Sequence, residues 1–286
     1  GNSLAQIPEF GNDGIPNSVS YADSGAFSVY QALLVRLDKR FSNGWQLTAS
    51  YTNSVYKAFG GDTLGLGEAP TNQFQLDQDY GYAGLDRRQR FVVSALWDLP
   101  KYNGDNKFAR GALNGWQIST ISQWFSGLPY SVFLPDSVDL YGSGTFTSYL
   151  PGTGQGTIGR TIKSVDELNA AIQAYNANIN SYAARFDGGT PVDPQGTPLR
   201  QLALVPGDTP IGGDSIISQD FRFTKKFYFN ETMHFDIIAE VFNIFNHANF
   251  GAYNAVVSSA TFGAPQQNNS NAYRPRTGQL AFRIQF

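Results

Sequence analysis

The chain has 286 residues, 20 Lys plus Arg against 23 Asp plus Glu and a formal net charge of -3, so it carries no large positive field for nucleic acid. It has no cysteine, which excludes disulfide frameworks, thiolate metal sites and cysteine nucleophiles. Aromatics are 14% of the residues, a richness that suits strands and membrane-interface belts. No run approaches the roughly 18 consecutive apolar residues of a membrane helix, and Gly1-Asn-Ser-Leu lacks the charged and apolar regions of a signal peptide.

Residues 1–25 are rich in Gly, Asn, Ser and Pro and are expected to be a loop, or an extra or donated strand. Seven segments of period-two character follow. The first, residues 26–41, sets Phe27, Val29, Leu33, Val35, Leu37 and Phe41 against Ser28, Arg36, Asp38 and Arg40. Ser42-Asn43-Gly44 is a tight-turn signal, after which Trp45, Leu47, Ala49 and Tyr51 alternate with Gln46, Thr48, Ser50 and Thr52, predicting a hairpin. The third segment places Phe91, Val93, Ala95, Trp97 and Leu99 opposite Arg90, Ser94 and Asp98. A turn containing Pro, Gly and Asn leads to the fourth, residues 115–126, whose alternation is poor. Residues 215–228 and 232–244 flank Asn230-Glu231, and the sixth segment sets Phe235, Ile237, Ala239 and Val241 against His234, Asp236 and Glu240. The seventh, residues 276–286, directs Gly278, Leu280, Phe282, Ile284 and Phe286 one way and Gln279, Ala281, Arg283 and Gln285 the other. Such an amphipathic final strand suits an outer-membrane barrel, which must close its sheet between lipid and lumen.

Long connections at residues 57–87, 127–214 and 246–275 alternate with short turns, the topology of a barrel with long external loops and short periplasmic turns. Aromatics collect beside the short turns: Phe41 and Trp45 at the first, Trp97, Tyr102 and Trp116 at the second, Phe227, Tyr228 and Phe229 at the third. Phe41, Trp45, Trp97, Trp116, Phe227 and Phe229 are thus candidates for an interfacial girdle. A soluble antiparallel sandwich is the alternative, but it requires no strict short-long alternation. The fold class expected is all-β, an antiparallel up-and-down outer-membrane-type barrel of about seven or eight strands, partial, with one long loop holding a short helix. That helix is placed at residues 165–180, where Ser164-Val-Asp-Glu167 forms a capping box and Val165, Leu168, Ile172, Tyr175 and Ile179 make an apolar stripe. The stripe is expected to bury itself against its own loop.

Catalytic chemistry finds little support. His234 and His247 are the only histidines, one on a strand face and one in a loop, with nothing to place a serine nucleophile beside either. Gly154-Gln-Gly-Thr-Ile-Gly159 has dinucleotide-fingerprint spacing without a strand-to-helix context and reads as a loop. Asp77, Asp79 and Asp86 match no calcium loop and read as solvated acids, paired with Arg87, Arg88 and Arg90 at the polar side of the strand ends. No enzymatic activity, cofactor or metal is expected.

Several stretches resemble the C-terminal barrel of TonB-dependent outer-membrane receptors, in particular the Oar-like group with a carboxypeptidase-regulatory-like N-terminal domain. They are the 14 residues from Ser28 to Phe41, Leu47-Thr-Ala-Ser-Tyr-Thr52, Arg88-Gln-Arg-Phe-Val-Val93, Gly115-Trp-Gln-Ile118 and Glu240-Val-Phe-Asn-Ile-Phe-Asn-His-Ala-Asn-Phe250. The resemblance spans roughly residues 7–286. It implies a piece of a transporter for bulky nutrients, partnered by the lipid bilayer and, through its last strand, by the barrel-assembly machinery. Such barrels have about 22 strands and a plugged lumen, whereas this chain offers seven strands and neither plug nor energy-coupling segment. Three completions follow: more strands from a longer precursor, an eighth strand from residues 1–25, or a strand donated by a neighbouring copy, which would build an extracellular filament.

Overall fold

The computed structural model describes residues 26–59, 70–72, 76–135, 138–143, 148–230, 233–266 and 274–286. The expectation of a loop or donated strand at residues 1–25 lies outside them. Among these residues ten strands and two α-helices follow in chain order: β1 (Ser28–Ser42), β2 (Trp45–Phe59), β3 (Tyr80–Tyr82), β4 (Gln89–Asp98), α1 (Lys107–Leu113), β5 (Trp116–Phe125), α2 (Val165–Ala177), β6 (Arg185–Asp187), β7 (Thr190–Val192), β8 (Ile216–Tyr228), β9 (His234–Phe242) and β10 (Thr277–Gln285). The main sheet is an antiparallel meander in the order β1-β2-β4-β5-β8-β9-β10, with β3 added beside the far end of β2. β6 and β7 form a separate hairpin. Among the described residues the sheet is not closed, and β1 and β10 are its edges.

Local chemistry explains the meander. At the β1–β2 hairpin Asn43 has φ 53° and Gly44 φ 82°, the two positive values that a two-residue turn matching strand twist requires. The β4–β5 connection holds α1, which sequence periodicity did not reveal. Asn106 caps it by accepting from the Phe108 and Ala109 amides at 3.0 and 3.1 Å. In α2, the Ser164 hydroxyl accepts from the Glu167 amide at 3.2 Å, while the Glu167 carboxylate accepts from the Lys163 amide at 2.6 Å. This helix ends three residues short of residue 180 because Asn178 leaves helical geometry, its amide bonding back to Ala174 and Tyr175.

The apolar core lies in the long connections and not in the sheet. Val132, Leu134, Leu150, Ile158, Leu168, Ile172, Tyr175, Leu199, Val257 and Phe262 pack together and are all buried. A bridge from Phe133 to Tyr149 folds the segment after β5 on itself, and one from Phe133 to Val256 joins it to the segment after β9. These loops therefore form a folded cap, with the α2 stripe turned into its core. The cap approaches the wall closely at β3, where an added Cβ at Gly81 would strike the Gln155 carbonyl and one at Gly156 would strike that of Tyr82.

Candidate functional site

The register gives the wall two chemically distinct faces. One row runs Leu280, Ala239, Phe223, Ile118, Trp97, Trp45 across six strands. The adjacent row, on the other face, runs Gln279, Glu240, Arg222, Ser119, Leu96, Gln46. Because strand side chains alternate, the first face is mostly apolar and the second mostly polar, with Lys39, Gln219 and Lys225 among the exceptions on the first and Leu34, Val92, Leu96 and Ile121 among those on the second. The poor alternation of β5 has a physical resolution. Thr120 and Ser122 stand on the apolar face beside Gln219, whose amide donates to the Thr120 hydroxyl and accepts from the Ser122 hydroxyl, with the Thr120 hydroxyl also donating to the Asp220 carbonyl at 2.8 Å. Polar groups satisfied in this way can face a solvent without hydrogen bonds.

The polar face carries paired charges. Asp236 is fully buried and accepts from Arg283 Nη2 at 2.6 Å and Nε at 3.0 Å, with His234 Nε2 3.5 Å from its other oxygen. Glu240 accepts from Arg222 and Gln279. Asp38 accepts from Arg36 at 2.6 Å and Thr48 at 2.9 Å. At the far end of β8 and β9, Ser218, Asp220, Asn243, Arg274, Thr277 and Gln279 border an open cavity of about 470 Å³. Asn243, at φ 48°, holds its mouth: its side chain donates to the His247 and Arg274 carbonyls at 3.0 and 3.1 Å. His247 lies in this loop and contacts Asn249 at 3.0 Å through Nδ1.

The candidate residues of the last strand, Gly278, Leu280, Phe282 and Ile284, share the apolar face, and Phe286 extends past the final pair. Phe282 stacks on Phe235 at 5.9 Å, and Phe235 contacts Phe227 at 6.4 Å. Trp45, Trp97, Trp116 and Phe227 occupy the same face, while Phe41 ends β1 beside its irregular register and Phe229 follows β8. All six aromatics are exposed and adjoin the short connections.

The acidic and arginine readings need correction. Asp79 and Asp86 are buried, at 3% and 0% exposure, and are not solvated. Asp79 accepts from the Thr71 amide and hydroxyl, each at 2.9 Å, and burial pushes its carboxyl above the usual range. Arg88 reaches Asp86, at 3.3 Å. Arg87 donates to the Ser126 carbonyl at 2.7 Å, and Arg90 lies over the Phe125 ring at 4.7 Å. The principal partner of Asp86 is Arg160 of the cap, at 2.5 Å, which also donates to the Asp86 and Gly127 carbonyls. Seventy-four positions separate this pair, so no local pattern announces it. The lock fastens cap to wall.

A meandering antiparallel sheet with one apolar and one charged face, short turns at one end and a folded cap at the other, defines the wall of a transmembrane β-barrel. The chain belongs to the outer membrane beta barrel domain family, whose model matches residues 1–279. Its setting is the bacterial outer membrane. No curated protein matches the chain.

Proposed function

We propose that the chain is the C-terminal wall of a TonB-dependent receptor, lining a lumen wider than seven strands can enclose and carrying the external cap over its mouth. The observation that carries this reading is the open wall: among the described residues β1 and β10 are both edges, and the polar face holds Arg36, Asp38, Arg222, Asp236, Glu240 and Arg283 as ion pairs. A closed barrel of about eight strands has an interior just filled by side chains, with little room for such charges. The motif resemblance in β1, β2, β4, β5 and the β9 region points to the same class. Gly278, Leu280, Phe282, Ile284 and Phe286 then serve as the strand recognised by the assembly machinery, and the six aromatics by the short turns form the periplasmic girdle. Substrate recognition falls to the cap and polar face, energy to parts outside this chain, and none of the chemistry is enzymatic.

The exposed edges favour a second reading, an extracellular subunit that polymerises by pairing β1 of one copy with β10 or an N-terminal segment of the next. Intact mass and electron microscopy on one native sample separate the two. Membrane-bound particles containing a much heavier chain support the receptor. Filaments that persist without detergent, built from a chain of about 31.3 kDa, would replace it with the subunit.

A further inference from the structure

Lys225 stands on the apolar face of β8, in register with Trp116, and yet is only 6% exposed. An ammonium on a lipid-facing surface is costly unless its donors are met. Here a lysine's three donors find three acceptors: Nζ donates to the carbonyls of Gly111 at 2.7 Å, Ala112 at 3.0 Å and Asn114. The Trp116 indole N–H adds a bond to the Ala112 carbonyl at 2.8 Å. The C-terminal end of α1 is therefore folded back over the outward face of the wall and tied there, at the level of the Trp116 and Phe227 rings.

The tie leaves an amphipathic surface on the membrane side. Phe108 is 92% exposed and Leu113 54%. Between residues 99 and 115 the charges are Lys101, Lys107 and Arg110 against Asp105. Phenylalanine and leucine beside cations suit one solvent boundary, the phosphate layer above acyl chains.

We propose that residues 99–115 are an interfacial anchor: α1 beds into the phospholipid leaflet on the short-turn side, Phe108 and Leu113 enter the acyl boundary, Lys101, Lys107 and Arg110 meet phosphates, and Lys225 is the tether. This rests on the membrane-wall reading and the sidedness given above, and the test keeps the two separable. Because the chain has no cysteine, Phe108→Cys, Leu280→Cys and Arg200→Cys each place one environment-sensitive fluorophore, on α1, on the wall and on the cap. The intact protein is reconstituted into vesicles of phosphatidylethanolamine and phosphatidylglycerol. The α1 probe should emit at shorter wavelength than the cap probe, resist aqueous iodide several-fold better, and be quenched by nitroxides placed high on the lipid chains. An α1 probe as open to iodide as the cap probe, with the wall probe still quenched by lipid, overturns the anchor alone. A wall probe that is itself open to iodide overturns the membrane wall as well. Adding Lys225→Met, or the milder Trp116→Phe, should expose the α1 probe and leave the wall probe unchanged; a protected α1 probe in both variants removes Lys225 and Trp116 as the tether.

Discussion

Asp86 has no solvent exposure and gathers Arg160, Arg88 and the Tyr56 amide, the last at 2.7 Å. Neutralising one member of a buried ion pair leaves the other charge desolvated and unmatched, at a cost of about 3–5 kcal/mol. Asp86→Asn is therefore expected to loosen the cap while sparing the sheet, seen as faster tryptic cleavage at Arg185 or Arg200 with an unchanged strand signal in circular dichroism. Cleavage at the parent rate would show that Asp86 does not hold the cap. Tyrosines provide a second residue-scale test. Burial pushes Tyr130, Tyr175 and Tyr253 up to about 12, with Tyr182 adding to the effect at Tyr175. A folded value above the unfolded value of about 10 keeps the proton on the folded form, so the stability this contributes is complete below pH 10 and is lost as pH rises towards 12. Absorbance titration should show a delayed tyrosinate class, and cap structure should fail inside that window. Ionisation of every tyrosine near pH 10 in the folded protein would contradict it.

At the scale of elements, α2 is held by more than its apolar stripe. Asn169 donates to the Val205 carbonyl at 3.0 Å and accepts from the Val205 amide at 2.8 Å; Asn176 does the same for Leu202, both at 2.8 Å. Two helix residues two turns apart thus replace a strand as partner for an irregular segment. Asn176→Ala should cost about 1–3 kcal/mol, because the Leu202 amide and carbonyl lose their partners together. Hydrogen exchange at Leu202 should accelerate while Val205 stays protected, and equal acceleration at both would mean the clamps are not independent. The contrast with the strands shows where sequence is informative. Leu47, Ala49 and Tyr51 repeat at period two because each must face the same side of a wall, so the long strands other than the poorly alternating β5 can be read directly, with their faces. β3, β6 and β7 are three residues each, too short to establish a period. α1 is seven residues interrupted by Gly111, and its placement depends on Lys225, more than a hundred positions away. The acids failed for the same reason: the burial of Asp79 and Asp86 comes from tertiary neighbours that local composition does not name.

The whole molecule combines two solvation schemes. The cap buries an apolar core as a water-soluble domain does, whereas the wall sorts its apolar residues to one face and its charges to the other. In the proposed membrane wall the sheet therefore has little reason to hold its shape in water, and its stability depends on lipid covering the apolar face. Adjacent residues of one strand can test this inversion. Val93 lies on the apolar face of β4, paired with Ala49 and Ser122; Ser94 lies on the polar face, paired with Thr48 and Ile121. An arginine near the middle of the lipid-facing surface costs about 2–4 kcal/mol, while one facing the lumen can reach water and counter-charges. Val93→Arg should thus lower the denaturant midpoint in lipid vesicles and reduce the folded fraction, and Ser94→Arg, carrying the same side chain one position along, should leave both near the parent value. A soluble sandwich would reverse or erase the difference, since a residue turned into a protein core tolerates arginine least on whichever face is packed. Similar losses at both positions would therefore mean that the polar face is closed against another layer, and that the wall does not border a water-filled lumen.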